Sequence, residues 1–127
     1  MAAPQLNSLL LSSTDPQRLR QWYVAALQPD ENADVENYGV LRFGSVYLMI
    51  DTRTDISDKS PEPGRIILNF DVDDARAVVE RMNGLGVTWL AELDDRDGSL
   101  FATAIDPDGN YVQLIQISEA HRNAMGG

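Results

Sequence analysis

"IDPDGNYVQLIQ", residues 105–116, decides the fold. Asp106 at position i, Pro107 at i+1 and Gly109 at i+3 are the composition of a type I turn. Asp106 can accept a backbone N–H two residues on, and Gly109 can take the left-handed conformation that rejoins the next strand. The segment "NYVQLIQI" (110–117) then reads as a strand whose register the turn sets. Tyr111, Gln113 and Ile115 point to one face, Val112 and Leu114 to the other. Gln113 is therefore a neutral amide in the middle of an apolar strand.

Working outward, the chain contains one pattern twice. "LNSLLLSSTDPQRLRQWYVAAL" (6–27) lies on "RIILNFDVDDARAVVERMNGLG" (65–86) when Asp15 is matched with Asp74. Each copy is an apolar strand, an acidic helix start and an amphipathic helix. In the first, Thr14 is the expected N-cap, with Gln17 completing a capping box and Pro16 in the first turn. Leu19, Trp22, Tyr23 and Ala26 recur at helical spacing. In the second, Asp73 is the expected cap and Val78, Val79 and Met82 the buried stripe. Gly84 and Gly86 are positions where positive φ can stop the helix.

Short strands are predicted after each helix: around 33–37, 39–43 and 46–50, then 87–93, 99–105 and 110–117. Two βαβββ modules follow, 5–51 and 65–117, within a single domain. The polar linker 52–64 joins them, and the tail 118–127 is expected to fray. The fold class is α+β.

Composition bounds the function. The 127-residue chain has no cysteine, which excludes disulfides and thiolate metal sites and suits a reducing cytoplasm, the expected location. With 20 acidic against 10 basic residues the net charge is −10, so nucleic acid and anionic membranes are poor partners and a cation is favoured. No apolar run approaches the roughly 18 residues that span a bilayer, and the start reads as no signal peptide. There is no "GxSxG", no phosphate-binding glycine loop and no Ser or Thr with a nearby His.

The paired modules and the closing "DPDGNYVQL" resemble the vicinal-oxygen-chelate superfamily, which includes glyoxalase I, extradiol dioxygenases and the bleomycin-resistance proteins. The likeness spans about residues 5–117. It implies that each module curls into a cup and that two cups enclose a cavity, within one chain or across a homodimer. It also implies four metal-ligand positions, usually His, Gln or Glu. Seven residues before the matched Asp15 and Asp74 these are Ser8 and Ile67; the others are Met49 and Gln113. Such a set offers one good oxygen, one weak hydroxyl and no negative charge, where a divalent ion needs several donors at about 2.0–2.2 Å. No metal or other cofactor is expected.

Strand alternation supplies the rest of the lining. Ser8, Leu10 and Ser12 share a face, as do Ile67, Asn69 and Asp71, while Leu9 and Leu11, and Ile66, Leu68, Phe70 and Val72, face the helices. Tyr47 and Met49, with Tyr111 and Gln113, complete an apolar cavity with polar tips and one carboxylate, Asp71. "YGVLRFGSVYLMI" (38–50) and the closing motif are closest to the metal-free bleomycin-resistance proteins, acidic dimers that sequester a cationic aromatic antibiotic. Tyr38 matches one of their groove aromatics, and Trp89 is a further stacking candidate. The loop "DDRDG" (94–98) lacks the second groove aromatic, which points to a related ligand and not to bleomycin itself. The favoured function is a binder of a small, amphipathic organic ligand. A lyase or dioxygenase with a displaced metal site, and a non-catalytic regulatory domain, are the alternatives.

Overall fold

A computed structural model describes residues 2–126. The chain divides into two compact units at Asp58/Lys59. The first unit contains β1 (Ser8–Ser13), α1 (Pro16–Leu27), β2 (Glu31–Val35), β3 (Tyr38–Phe43) and β4 (Val46–Thr52), in the sheet order β1-β4-β3-β2. The second contains β5 (Ile67–Asp71), α2 (Ala75–Gly84), β6 (Thr88–Arg96), β7 (Ser99–Ile105), β8 (Tyr111–Gln116) and α3 (Glu119–Ala124), in the order β5-β8-β7-β6. β1 runs parallel to β4 and β5 parallel to β8; the other pairs are antiparallel. This is the α+β glyoxalase-type fold in two modules.

Each sheet buries one face under its helix. In the first unit Leu19, Tyr23 and Ala26 of α1 are fully buried together with Leu41, Leu48 and Ile50. Trp22 is half-buried, its ring edge-on to Tyr23 at 4.9 Å. In the second, Ala75 and Met82 of α2 are buried with Leu68, Ala102, Ala104, Val112 and Leu114. Alanine at alternate positions of β7 keeps that strand low, so the helix approaches closely. Burying a Leu, Ile or Met side chain contributes about 1.5–3 kcal/mol, so these two clusters carry most of the stability.

The helix starts differ from the sequence reading by one residue each. Asp15, not Thr14, caps α1, its carboxylate accepting from Arg18 N at 3.2 Å. Asp74, not Asp73, caps α2, accepting from Ala77 N at 3.1 Å. Buried Ser13 accepts the Asp15 N–H at 3.0 Å and so holds the chain extended one residue longer, leaving Thr14 free to donate to Asp58 at 2.9 Å. The two true caps are the pair that aligned the repeats. At the end of α2 only Gly86 has positive φ (+74°); Gly84 closes the helix itself. Ile66 does not pack on the helix but is 70% exposed, and the buried row begins at Leu68.

Two further segments depart from expectation. The expected loop 94–98 is mostly strand: β6 runs to Arg96, and Asp97 and Gly98 (φ +54° and +92°) form a two-residue turn. The tail does not fray after β8. Ser118 caps α3 by accepting from His121 N at 3.1 Å.

The outermost strand of the first sheet is tied to α1 by one side chain. Arg20 of α1 donates to Asn32 through Nε and NH2 (2.8 and 2.6 Å), to Asp34 (2.6 Å) and to the Ala33 carbonyl (2.8 Å). The guanidinium lies against Gly39, where an added Cβ would sit 3.1 Å from its Cδ. Arg20→Ala is expected to lower stability by about 1–2 kcal/mol, because several charge-assisted bonds are lost at a largely hydrated edge. The check is hydrogen exchange: the β2 amides should lose protection while those of β4 keep theirs.

Candidate functional site

The register of each sheet defines a second, helix-free face opposite α1 in the first unit and α2 in the second, which in the second unit only α3 reaches, at its edge. In the first unit Ser8 pairs with Tyr47, Leu10 with Met49 and Ser12 with Asp51, and all six share that face. Leu10 is 50% and Tyr47 37% exposed there. Ser12 donates to Asp51 at 2.6 Å, so this face carries a carboxylate absent from the sequence reading. The strand predicted over 46–50 runs on to Thr52 and so takes in Asp51.

In the second unit Ile67 pairs with Tyr111, Asn69 with Gln113 and Asp71 with Ile115 on the helix-free face. β7 adds Phe101 beside Ile115 and Thr103 beside Gln113. The amides of Asn69 and Gln113 thus stand in adjacent strands at the same level, and neither side chain hydrogen-bonds another described residue. A carboxamide offers two donors and an acceptor with two lone pairs, so the pair presents an unused hydrogen-bonding array on an apolar surface. Asp71, at the strand end, is ion-paired with Arg122 of α3 at 3.5 Å. Phe101, which the sequence reading missed, carries the guanidinium of Arg96 4.7 Å from its ring centroid, and Arg96 is in turn bonded to Asp94 at 2.9 Å.

The turn "DPDG" fixes this register through Asp106, which is 3% exposed. One carboxylate oxygen accepts from Asp108 N and Asn110 N, both at 2.9 Å, and the other from the Asn110 amide at 3.0 Å. Gly109 N closes the turn on the Asp106 carbonyl at 3.0 Å. The linker leans on the same turn: Ser60 N donates to Asp108 O at 2.8 Å and Lys59 Nζ to the Pro107 carbonyl.

Two expected lining residues lie elsewhere. Trp89 is on the helix side of its sheet, opposite Ala104, and its indole N–H donates to Asn83 of α2 at 2.8 Å. The irregular register of β6 between Trp89 and Asp94 defeats simple alternation there. Tyr38 lines a groove of about 700 Å³ between α1 and the β2–β3 hairpin, with Gln17, Gln21, Asn32 and Asn37. Arg20 also lines that groove, its guanidinium bonded to Asn32 and Asp34.

Ser8 and Met49 on one helix-free face, and Ile67 and Gln113 on the other, do not fit a divalent cation. A hydroxyl, a thioether, an aliphatic chain and an amide bring neither imidazole nor carboxylate. Among the described residues no group of three His, Asp or Glu is gathered to hold an ion. Outside these strands, two hydrogen bonds from Arg53 (2.8 and 2.6 Å) hold the Asp55 carboxyl below the usual carboxylate range.

The model of the glyoxalase-like domain matches residues 8–115. The chain belongs to this family. As a glyoxalase-like domain it falls in the vicinal-oxygen-chelate superfamily, as its strand order implied. No curated protein matches it. Among solved structures it is similar to TnmS3, an antibiotic binding protein from a Streptomyces species, with 21% identity and a TM-score of 0.70 over 93% of this chain and 99% of that one. The fosfomycin resistance protein FosX from Mesorhizobium loti shares 15% identity at a TM-score of 0.70, over 97% and 99% of the two chains. The oxidase ChaP-H2 shares 19% at 0.74, over 92% and 96%. At these identities the likeness establishes the fold. No described helix of this glyoxalase-like domain is long and apolar enough to cross a membrane.

Proposed function

We propose that this glyoxalase-like domain is a metal-free binding protein that sequesters a small amphipathic organic ligand, with cations preferred, and that it works as a homodimer. The observation that carries the reading is the Asn69–Gln113 amide pair, unbonded to any other described residue and flanked by Ile67, Tyr111, Thr103 and Ile115. Polar tips that converge on an apolar surface are what small-molecule sites provide, whereas a closed core would satisfy them internally. The net charge of −10 raises the local concentration of cations. Antibiotic binding by TnmS3 gives the fold a precedent for this use.

A thermal-shift screen against cationic aromatic drugs tests the proposal. A ligand at a hundredfold its Kd adds about 2.7 kcal/mol, or on the order of 10 °C in Tm for a chain of this size. Glutathione thioesters, the lyase-type alternative, should leave Tm unchanged. Elemental analysis of protein purified without chelator should find no stoichiometric Zn, Ni, Fe or Mn; a bound equivalent would overturn the reading. Light scattering should give twice the 14.1-kDa chain mass.

A further inference from the structure

The helix-free face of the second unit already holds two cations of its own. Asp71, Ile115 and Phe101 lie side by side across β5, β8 and β7. A carboxylate, a branched apolar side chain and an aromatic ring in one row can take both ends of a cationic aromatic molecule. In this row the carboxylate carries Arg122 and the ring carries Arg96. The two guanidiniums make the contacts that such a guest would make.

The two are held differently. Arg96 belongs to β6 and is tied to Asp94 within its own strand. Arg122 belongs to α3, which reaches the face from the chain end. Its anchor is Ser99, fully buried, which accepts from Ser118 N at 2.8 Å and is hydrogen-bonded to His121 Nδ1. Beyond that anchor no residue of α3 is buried, and the side chains of Arg122 and Asp71 are 51% and 64% exposed. The ion pair is therefore a hydrated surface pair that rotation of one side chain can open.

Resting on the binding function proposed above, we propose that Arg122 is an intramolecular competitor. α3 keeps its guanidinium on Asp71, and a cationic guest binds by replacing it there. Such a contact sets a threshold: weak cations do not displace Arg122, and a guest that also covers Phe101 and Ile115 does. Because exposed ion pairs are weak, the competition alters affinity by roughly two- to fivefold.

The test is a fluorescence titration of the full chain with thioflavin T, a cationic aromatic dye, and with anilinonaphthalene sulfonate, an anionic one. Arg122→Gln should tighten thioflavin T binding two- to fivefold and give the anionic dye no gain. In an Asp71→Asn background the same Arg122→Gln change should have no effect on thioflavin T. Equal affinity of wild type and Arg122→Gln for thioflavin T would overturn the competitor. So would a gain that persists with Asp71→Asn, since that marks simple uncovering by the helix. If neither wild type nor variants bind thioflavin T saturably, the binding function itself fails and the competitor with it.

Discussion

Asp106→Ala is expected to destabilise the domain by about 3–5 kcal/mol, the largest effect of any single polar substitution in the chain. Each hydrogen bond to a charged acceptor is worth about 1.5–3 kcal/mol, and this carboxylate accepts three. At 3% exposure, water recovers only part of the loss. The corresponding fall in Tm is on the order of 10–20 °C. Asp106→Asn should lose about half as much: it keeps an oxygen for the two backbone donors but turns an NH2 toward the Asn110 amide. Chemical denaturation of the two variants is the check. A loss under about 1 kcal/mol for Asp106→Ala would show that the Gly109 N–H to Asp106 carbonyl bond holds the turn alone. The effect reaches the site because β8 takes its register from this turn, and a slip of one residue would send Gln113 to the helix side.

The second large effect concerns binding without stability. Replacing Asn69 and Gln113 together by Ala is expected to weaken an amphipathic ligand by roughly ten- to a hundredfold. The ligand's polar groups would be left unpaired at about 1–3 kcal/mol. The fold should change by no more than about 0.5 kcal/mol, the usual size for surface positions. That combination follows from the absence of any bond between these amides and other described residues. Parallel denaturation and binding isotherms decide it. A double variant that loses stability and keeps its affinity would make the pair a structural feature.

What was legible in the sequence was what local chemistry fixes. The DPDG turn was correct to the hydrogen bond, since Asp, Pro and Gly each act there through their own backbone. The alternation of β5 and β8 was correct because those strands are regular and half-buried against a helix, whereas in β1 Leu9, expected against the helix, is 37% exposed. The lining residues Ser8, Tyr47, Met49, Asn69, Asp71, Tyr111 and Gln113 accordingly lie on helix-free faces. Trp89, a stacking candidate in the sequence, lies on the helix side because its indole N–H bonds Asn83 of α2, a contact between elements that "VTWL" does not signal. Phe101, Arg96 and Arg122 were missed because their role depends on contacts between strands and with a tail that has no apolar period. The α1 cap lies one residue later than expected because buried Ser13 accepts the Asp15 N–H, a tertiary circumstance that a run of Ser, Ser, Thr and Asp does not reveal.

Asn69 and Gln113, side by side on β5 and β8, are the proposed contact with an organic guest, and Gln113 alone stands where the family resemblance implies a ligand for an ion. Their side-chain NH2 resonances, followed in isotope-labelled protein in excess EDTA during titration with thioflavin T, test this most directly. Saturable movement of the Asn69 and Gln113 signals, unaltered by the chelator, is the predicted result. Signals that stay fixed under the dye and shift only when Zn or Mn replaces the EDTA would contradict it.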